Sequence, residues 1–220
     1  MVLQSLLDLI FPPRCVVTGR PGSVLHPDVV VGFAAVGTCA QCDQEGRVLC
    51  QLCYGAEPAF EWVHSGFLYE GDLRAAIHAL KYKNRRDAAR PLASTLSKPS
   101  LPQEAVLVAV PLAAGRLADR GYNQAYLLAQ ELATRWALPL LPPEALARVR
   151  ETDTQVGLDR QQRRANLHEA FTADAALVAG KPAVLVDDVC TTGATLDVCA
   201  HALRKEGASA VFAVTLERTP

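Results

Sequence analysis

The chain has 220 residues, half of them apolar, and a formal net charge of −1. That length accommodates one folded domain with a small appendage, and that composition excludes a disordered chain. The balanced charge excludes nucleic-acid binding driven by overall charge, leaving only a local basic patch to be sought.

In chain order, the first segment, MVLQSLLDLIFPPR, lacks a basic leader and a small-residue cleavage site, so it does not read as an export signal. Leu3, Leu6, Leu7 and Ile10 follow the spacing of one helical face, which Pro12 and Pro13 stop; docking against the domain is expected. No apolar stretch approaches the length of a membrane span, and a cytoplasmic protein is expected.

Seven cysteines without an export signal point to metal or core positions rather than a disulfide framework. Cys39, Cys42, Cys50 and Cys53 form two CxxC knuckles, CAQC and CQLC, whose four thiolates one tetrahedral Zn²⁺ could collect. Cys15 stands alone, because Thr18 occupies the position of a knuckle partner. Cys190 and Cys199 read as small buried hydrophobes. Residues 15–60, rich in Gly, Pro and Cys, are expected to form a small module whose core is largely the metal, giving a division into residues 1–60 and 61–220.

Beyond it, WVHSGFLY reads as a strand, and Leu73, Ile77 and Leu80 mark a helix ending in the basic run Lys81, Lys83, Arg85 and Arg86. That run reads equally as a solvated helix end or an anion site. Residues 106–112, VLVAVPL, predict a second buried strand, AAGRLADRGYNQ a polar loop and AYLLAQELATRWA an amphipathic helix. Residues 148–169 hold five arginines with little apolar periodicity, which suits a mobile lid over an anionic ligand. The five histidines, His26, His64, His78, His168 and His201, show no ligand spacing.

The most informative stretch is 184–196, VLVDDVCTTGATL. Val184, Leu185 and Val186 predict a central strand buried on both faces. At its end Asp187 and Asp188 can accept hydrogen bonds from vicinal ribose hydroxyls. The loop of Thr191, Thr192, Gly193, Ala194 and Thr195 can wrap a 5′-phosphate, with Gly193 admitting close backbone approach and the following helix offering its positive end. A Walker A loop is excluded, since no Gly-Lys-Ser/Thr follows. TLDVCAHALRKEG then gives a helix and SAVFAVTLER a further strand, so the pattern is an open, mainly parallel sheet flanked by helices.

The 184–196 stretch resembles the PRPP-binding signature of the type I phosphoribosyltransferases. Together with FPPRC, the CxxC pair, LKYK at 80–83, VPL at 110–112, RGYNQ at 120–124 and T-x2-Q-x2-L-x4-R-x2-N at 152–166, it makes the chain similar to the ComF family of competence-associated phosphoribosyltransferase-like proteins. The resemblance implies a type I phosphoribosyltransferase fold with a small N-terminal zinc-binding module. It implies PRPP on Asp187, Asp188 and 191–195, Arg120, Asn123 and Gln124 near the pyrophosphate, and Gln155, Arg163 and Asn166 in a hood over the substrate. Thr191 departs from the acid that purine-salvage members often carry there, which argues against a purine acceptor. Two activities fit this resemblance: Mg²⁺-dependent phosphoribosyl transfer with pyrophosphate release, or a non-catalytic PRPP or nucleotide sensor. In either case single-stranded DNA and competence proteins would be partners.

Overall fold

The computed structural model describes residues 11–37, 47–50, 58–149 and 170–219, with the strand at 47–50 given by its backbone. The N-terminal helix, Cys39, Cys42, Cys53, the Cys50 side chain, Gln155, Arg163, Asn166 and His168 lie outside the described residues.

The apolar runs become strands. β1 (Arg47–Cys50), β2 (Trp62–Leu68), β3 (Val106–Ala109), β6 (Pro182–Cys190) and β7 (Ala210–Arg218) form one sheet in the order β1-β2-β7-β6-β3. β2, β7, β6 and β3 run parallel, and β1 adds to the edge antiparallel to β2. Val184, Leu185 and Val186 are almost wholly buried in β6, as a parallel strand covered on both faces requires. Each contributes about 1.5–3 kcal/mol of hydrophobic stabilisation. β6 runs on through both acids to Cys190, so Asp187 and Asp188 belong to the strand itself.

One face of the sheet is covered by α2 (Gly71–Tyr82), α3 (Ala89–Thr95) and α5 (Gln124–Trp136). Their Leu73, Ile77, Leu80, Leu92, Leu128 and Leu132 share a core with Val184 and Val214. The periodic segment from Leu73 is broken after Tyr82, where Asn84 adopts φ 52° and a short 3-10 turn leads into α3. Cys15, Leu25, Phe33 and Val29 of α1 (Pro27–Val31) pack into this same core. The other face carries α7 (Ala194–Lys205), with Leu196, Cys199 and Leu203 buried against Leu185 and Ala213. Cys190 and Cys199 are free, buried thiols whose pKa burial pushes up, to about 11 for Cys190.

Gly66 in β2 admits a close approach: a Cβ there would stand 2.5 Å from the Leu96 side chain and 3.3 Å from Leu216 O, so a larger residue would require the Leu96 side chain to shift. One expectation is corrected. AAGRLADRGYNQ is not an extended loop, because Ala114–Arg120 forms the short helix α4, which carries Arg116 and Arg120. Between the core elements, β4 (Leu146–Arg148) and β5 (Phe171–Ala173) pair antiparallel, and the four-residue helix α6 (Ala175–Val178) leads into β6.

Candidate functional site

The site lies at the carboxyl end of the sheet, where ligands of open parallel sheets gather. β6 delivers Asp187, half-buried, and Asp188, only 3% exposed, side by side at the floor of the cleft. Beyond Cys190 the chain turns through Thr191, Thr192 and Gly193 into α7. Thr191, Thr192, Ala194 and Thr195 are exposed, and Gly193 takes φ 78°, the left-handed region that costs a residue with a Cβ roughly 1–2 kcal/mol. Gly193, at the N-cap, has no side chain to cap the helix, and Thr192 Oγ1 accepts a long 3.4 Å bond from the Ala194 N–H. The first turn of a twelve-residue helix therefore presents N–H donors to an anion.

The opposite wall comes from three helices. Lys81, the penultimate residue of α2, places its Nζ 2.5 Å from Asp188 Oδ2. Gln124, buried at the start of α5, donates from Nε2 to Asp188 Oδ1 at 3.3 Å, and Arg120 of α4 donates in turn to Gln124 Oε1. Asn123 caps α5 by accepting from the Ala125 N–H, and its Nδ2 donates to Val110 O at 2.9 Å, tying the helix to the end of β3. A cleft of about 200 Å³ between the walls is lined by Lys81, Arg116, Arg120, Arg148, Asp187, Asp188 and Thr195, among others. It adjoins a cleft of about 380 Å³ that shares Lys81, Tyr82, Arg116 and Arg120. The guanidinium of Arg120 lies 5.2 Å from the centre of the Tyr82 ring.

The charges act strongly on one another here. Burial works against the Lys81 ammonium, yet Asp188, Asp187 and Glu217 outweigh it and hold its pKa above the usual value. Burial and the charge of Asp188 raise Asp187 well above the ordinary carboxylate range, against a 2.8 Å bond from the Asp188 N–H and the pull of Lys81. Glu217, at the end of β7, is fully buried, and neither carboxylate oxygen has a hydrogen-bond partner among the described residues. Burial and Asp188 push its pKa up to about 8.

Of the residues expected from sequence, Asp187, Asp188, Thr195, Arg120 and Gln124 line this cleft, Thr191, Thr192, Gly193 and Ala194 lie in the turn between β6 and Thr195 without lining it, and Asn123 ties α5 to the end of β3. The basic run does not act as a unit: Lys81 turns inward, Arg85 pairs with Asp87 at 2.8 Å, and Arg86 stacks on Tyr122. Arg116 lies in the segment after Leu112 that the resemblance sets against the pyrophosphate, though it was not singled out, and Glu217 had no expectation attached. A lysine one residue beyond the buried Leu80 was the available signal for Lys81; nothing local marks Glu217, since an acid near a strand's end ordinarily reads as exposed. His26 accepts from the Asp28 N–H and His78 packs on Tyr82, and no cluster of metal-ligating side chains occurs among the described residues.

A family model for the phosphoribosyl transferase domain matches residues 117–219. The chain is 34% identical over 195 residues to the DNA utilization protein YhgH of Salmonella typhi, spanning 84% of this chain and 85% of that one. It is 33% identical over 184 residues to Competence protein F of Haemophilus influenzae, spanning 77% and 79%. This chain belongs to the ComF family of phosphoribosyltransferase-like proteins. Competence protein ComFC of Bacillus subtilis is a further ComF relative, 33% identical over 127 residues, 57% of this chain and 50% of that one. The matched domain takes in α5, both acids, the 191–195 loop and Glu217, and leaves Lys81 outside, so the Lys81–Asp188 pair joins the domain to the segment before it.

Proposed function

We propose that this ComF protein binds Mg·PRPP in the cleft between β6 and α4 and transfers its 5-phosphoribosyl group to a nitrogen nucleophile, releasing pyrophosphate. The observation that carries the proposal is the facing arrangement of two adjacent carboxylates and an uncapped threonine-glycine helix start across from Lys81, Arg116, Arg120 and Arg148. In this reading the N–H groups and hydroxyls at 191–195 hold the 5′-phosphate, and Asp187 and Asp188 accept the ribose hydroxyls. Arg116 and Arg120 meet the pyrophosphate. Breaking the anomeric bond builds positive charge on the ribose and negative charge on the leaving group, so fixed carboxylates below and guanidinium groups above stabilise both ends of the separating pair. Mg²⁺, carried on the substrate, would neutralise leaving-group charge. Gln155, Arg163 and Asn166 keep their place in the proposal as closing residues, and single-stranded DNA and competence proteins as partners in a cytoplasmic setting. Among the described residues no helix is long and apolar enough to cross a membrane.

Turnover is tested by screening nucleobases and amines with Mg·PRPP and scoring pyrophosphate. Release with at least one acceptor, reduced at least tenfold in Asp187→Asn, is the expected result. Binding of PRPP without release for any acceptor would instead favour the non-catalytic sensor.

We further propose one structural Zn²⁺ on Cys39, Cys42, Cys50 and Cys53. Four thiolates would supply folding energy to a short module, and the pairing of β1, which ends at Cys50, with Trp62 of β2 would transmit that order to the sheet edge. Metal analysis of the purified protein should give close to one zinc per chain, and Cys50→Ser should lose it. A content near zero in the wild type, or unchanged affinity in Cys50→Ser, would refute the site.

A further inference from the structure

Glu217 is the one fully buried charged side chain at this end of the sheet that makes no hydrogen bond among the described residues. Orphaned buried acceptors are costly, and a carboxyl kept in such a place calls for a functional explanation. The groups facing it are few. Asp188 of β6 repels its charge; Lys81 and Arg74 of α2 attract it. The nearest hydroxyls are already used, since Ser65 and Thr215 bond one another at 2.5 Å and Thr215 also donates to the Glu217 carbonyl.

Lys81 pairs with Asp188 on β6, and Glu217 stands on the neighbouring strand β7. Its ammonium has three N–H donors and occupies Asp188 Oδ2, while Gln124 occupies Oδ1, so the acid expected to accept a ribose hydroxyl is engaged on both oxygens. A ribose hydroxyl arriving at Asp188 competes for the place Lys81 holds. The charge of Lys81 is felt at Glu217 as well as at Asp187 and Asp188.

We infer that Glu217 is a positioning residue, the second seat of Lys81: as ribose hydroxyls engage Asp188, the Lys81 ammonium turns to Glu217, whose carboxyl O–H bond breaks and releases its proton to solvent. Because the inference presupposes PRPP at this cleft, it deepens the proposed function. Ligand binding then releases a proton, and affinity rises with pH until Glu217 is ionised beforehand. With the free carboxyl titrating at about 8, release is roughly 0.9 proton at pH 7 and about 0.1 at pH 9, and Mg·PRPP binds about tenfold more tightly at pH 9.

Calorimetric titration of Mg·PRPP into the full chain at pH 7, 8 and 9, in buffers of different ionisation enthalpy, reads the proton count directly. Glu217→Gln should keep binding, lose that release and lose the tenfold pH dependence. Asp187 and the ligand's own phosphates titrate alike in both proteins, so the difference isolates Glu217. Should Glu217→Gln fail to fold, Lys81→Met carries the same test, because without the ammonium Glu217 keeps its proton. Equal proton counts in wild type and Glu217→Gln, or in wild type and Lys81→Met, would overturn the inference while leaving PRPP binding intact. Absence of any binding heat or thermal shift in the wild type would overturn the proposed function, and this inference with it.

Discussion

Asp187→Asn is expected to remove half or more of the thermal stabilisation conferred by Mg·PRPP while leaving the free protein at least as stable as wild type. A ligand present at a hundred times its Kd and binding only the folded state contributes about 2.7 kcal/mol. At this chain length that corresponds to roughly 5–10 °C. A hydrogen bond to a carboxylate is worth about 1.5–3 kcal/mol, so losing the charge weakens binding by about 10- to 100-fold and leaves about 0.4–1.4 kcal/mol of the stabilisation at the same ligand concentration. The free protein is spared because burial and Asp188 raise the Asp187 pKa. Stability is lost as pH rises through a raised carboxyl pKa, and an amide escapes that loss while still accepting the Asp188 N–H. Asp188→Asn is a different experiment. It leaves the Lys81 ammonium, 19% exposed, without its 2.5 Å partner, and breaking a buried pair costs about 3–5 kcal/mol. Differential scanning calorimetry with and without Mg·PRPP reads all of this, and a wild-type-sized shift in Asp187→Asn would show that PRPP is not held by this acid.

Raising the pH from 5 to 9 should destabilise the wild type relative to Glu217→Gln, with the gap opening progressively and levelling above about pH 8. The ordinary glutamate value is 4.5 and the folded value about 8, raised by burial and by Asp188. A carboxyl whose folded pKa is raised contributes its full stability below the unfolded value and loses it as pH climbs through the folded one. The glutamine variant has no proton to lose and keeps the shape of the neutral acid. Melting temperatures in the absence of ligand should therefore diverge by several degrees at pH 9 and agree more closely at pH 5. Parallel curves across that range would mean that Glu217 is ionised and partnered in the folded protein.

Much of the fold was legible because its signals are local. A run such as Val184 to Val186 has no stable place except a strand covered on both sides, and the glycine within TTGAT marked the turn from that strand into a helix. Gly193 was assigned to backbone approach, and its φ of 78° adds that a Cβ would be strained there as well. α4 was misread because its seven residues bury no side chain; a helix without an apolar face leaves no periodicity to detect.

The sequence by itself therefore determined the four parallel strands, the order of polar residues along β6 and the turn into α7, since burial of apolar runs and the conformational freedom of glycine act between near neighbours in the chain. The tertiary structure alone decided which charges meet. The order β2-β7-β6 sets Glu217 beside the strand that carries Asp188, and the packing of Leu80 into the core accompanies the inward turn of the adjacent Lys81 onto Asp188. Coulomb interactions depend on separation in space and on the low dielectric of a buried site, and neither quantity is written in the spacing of residues along the chain.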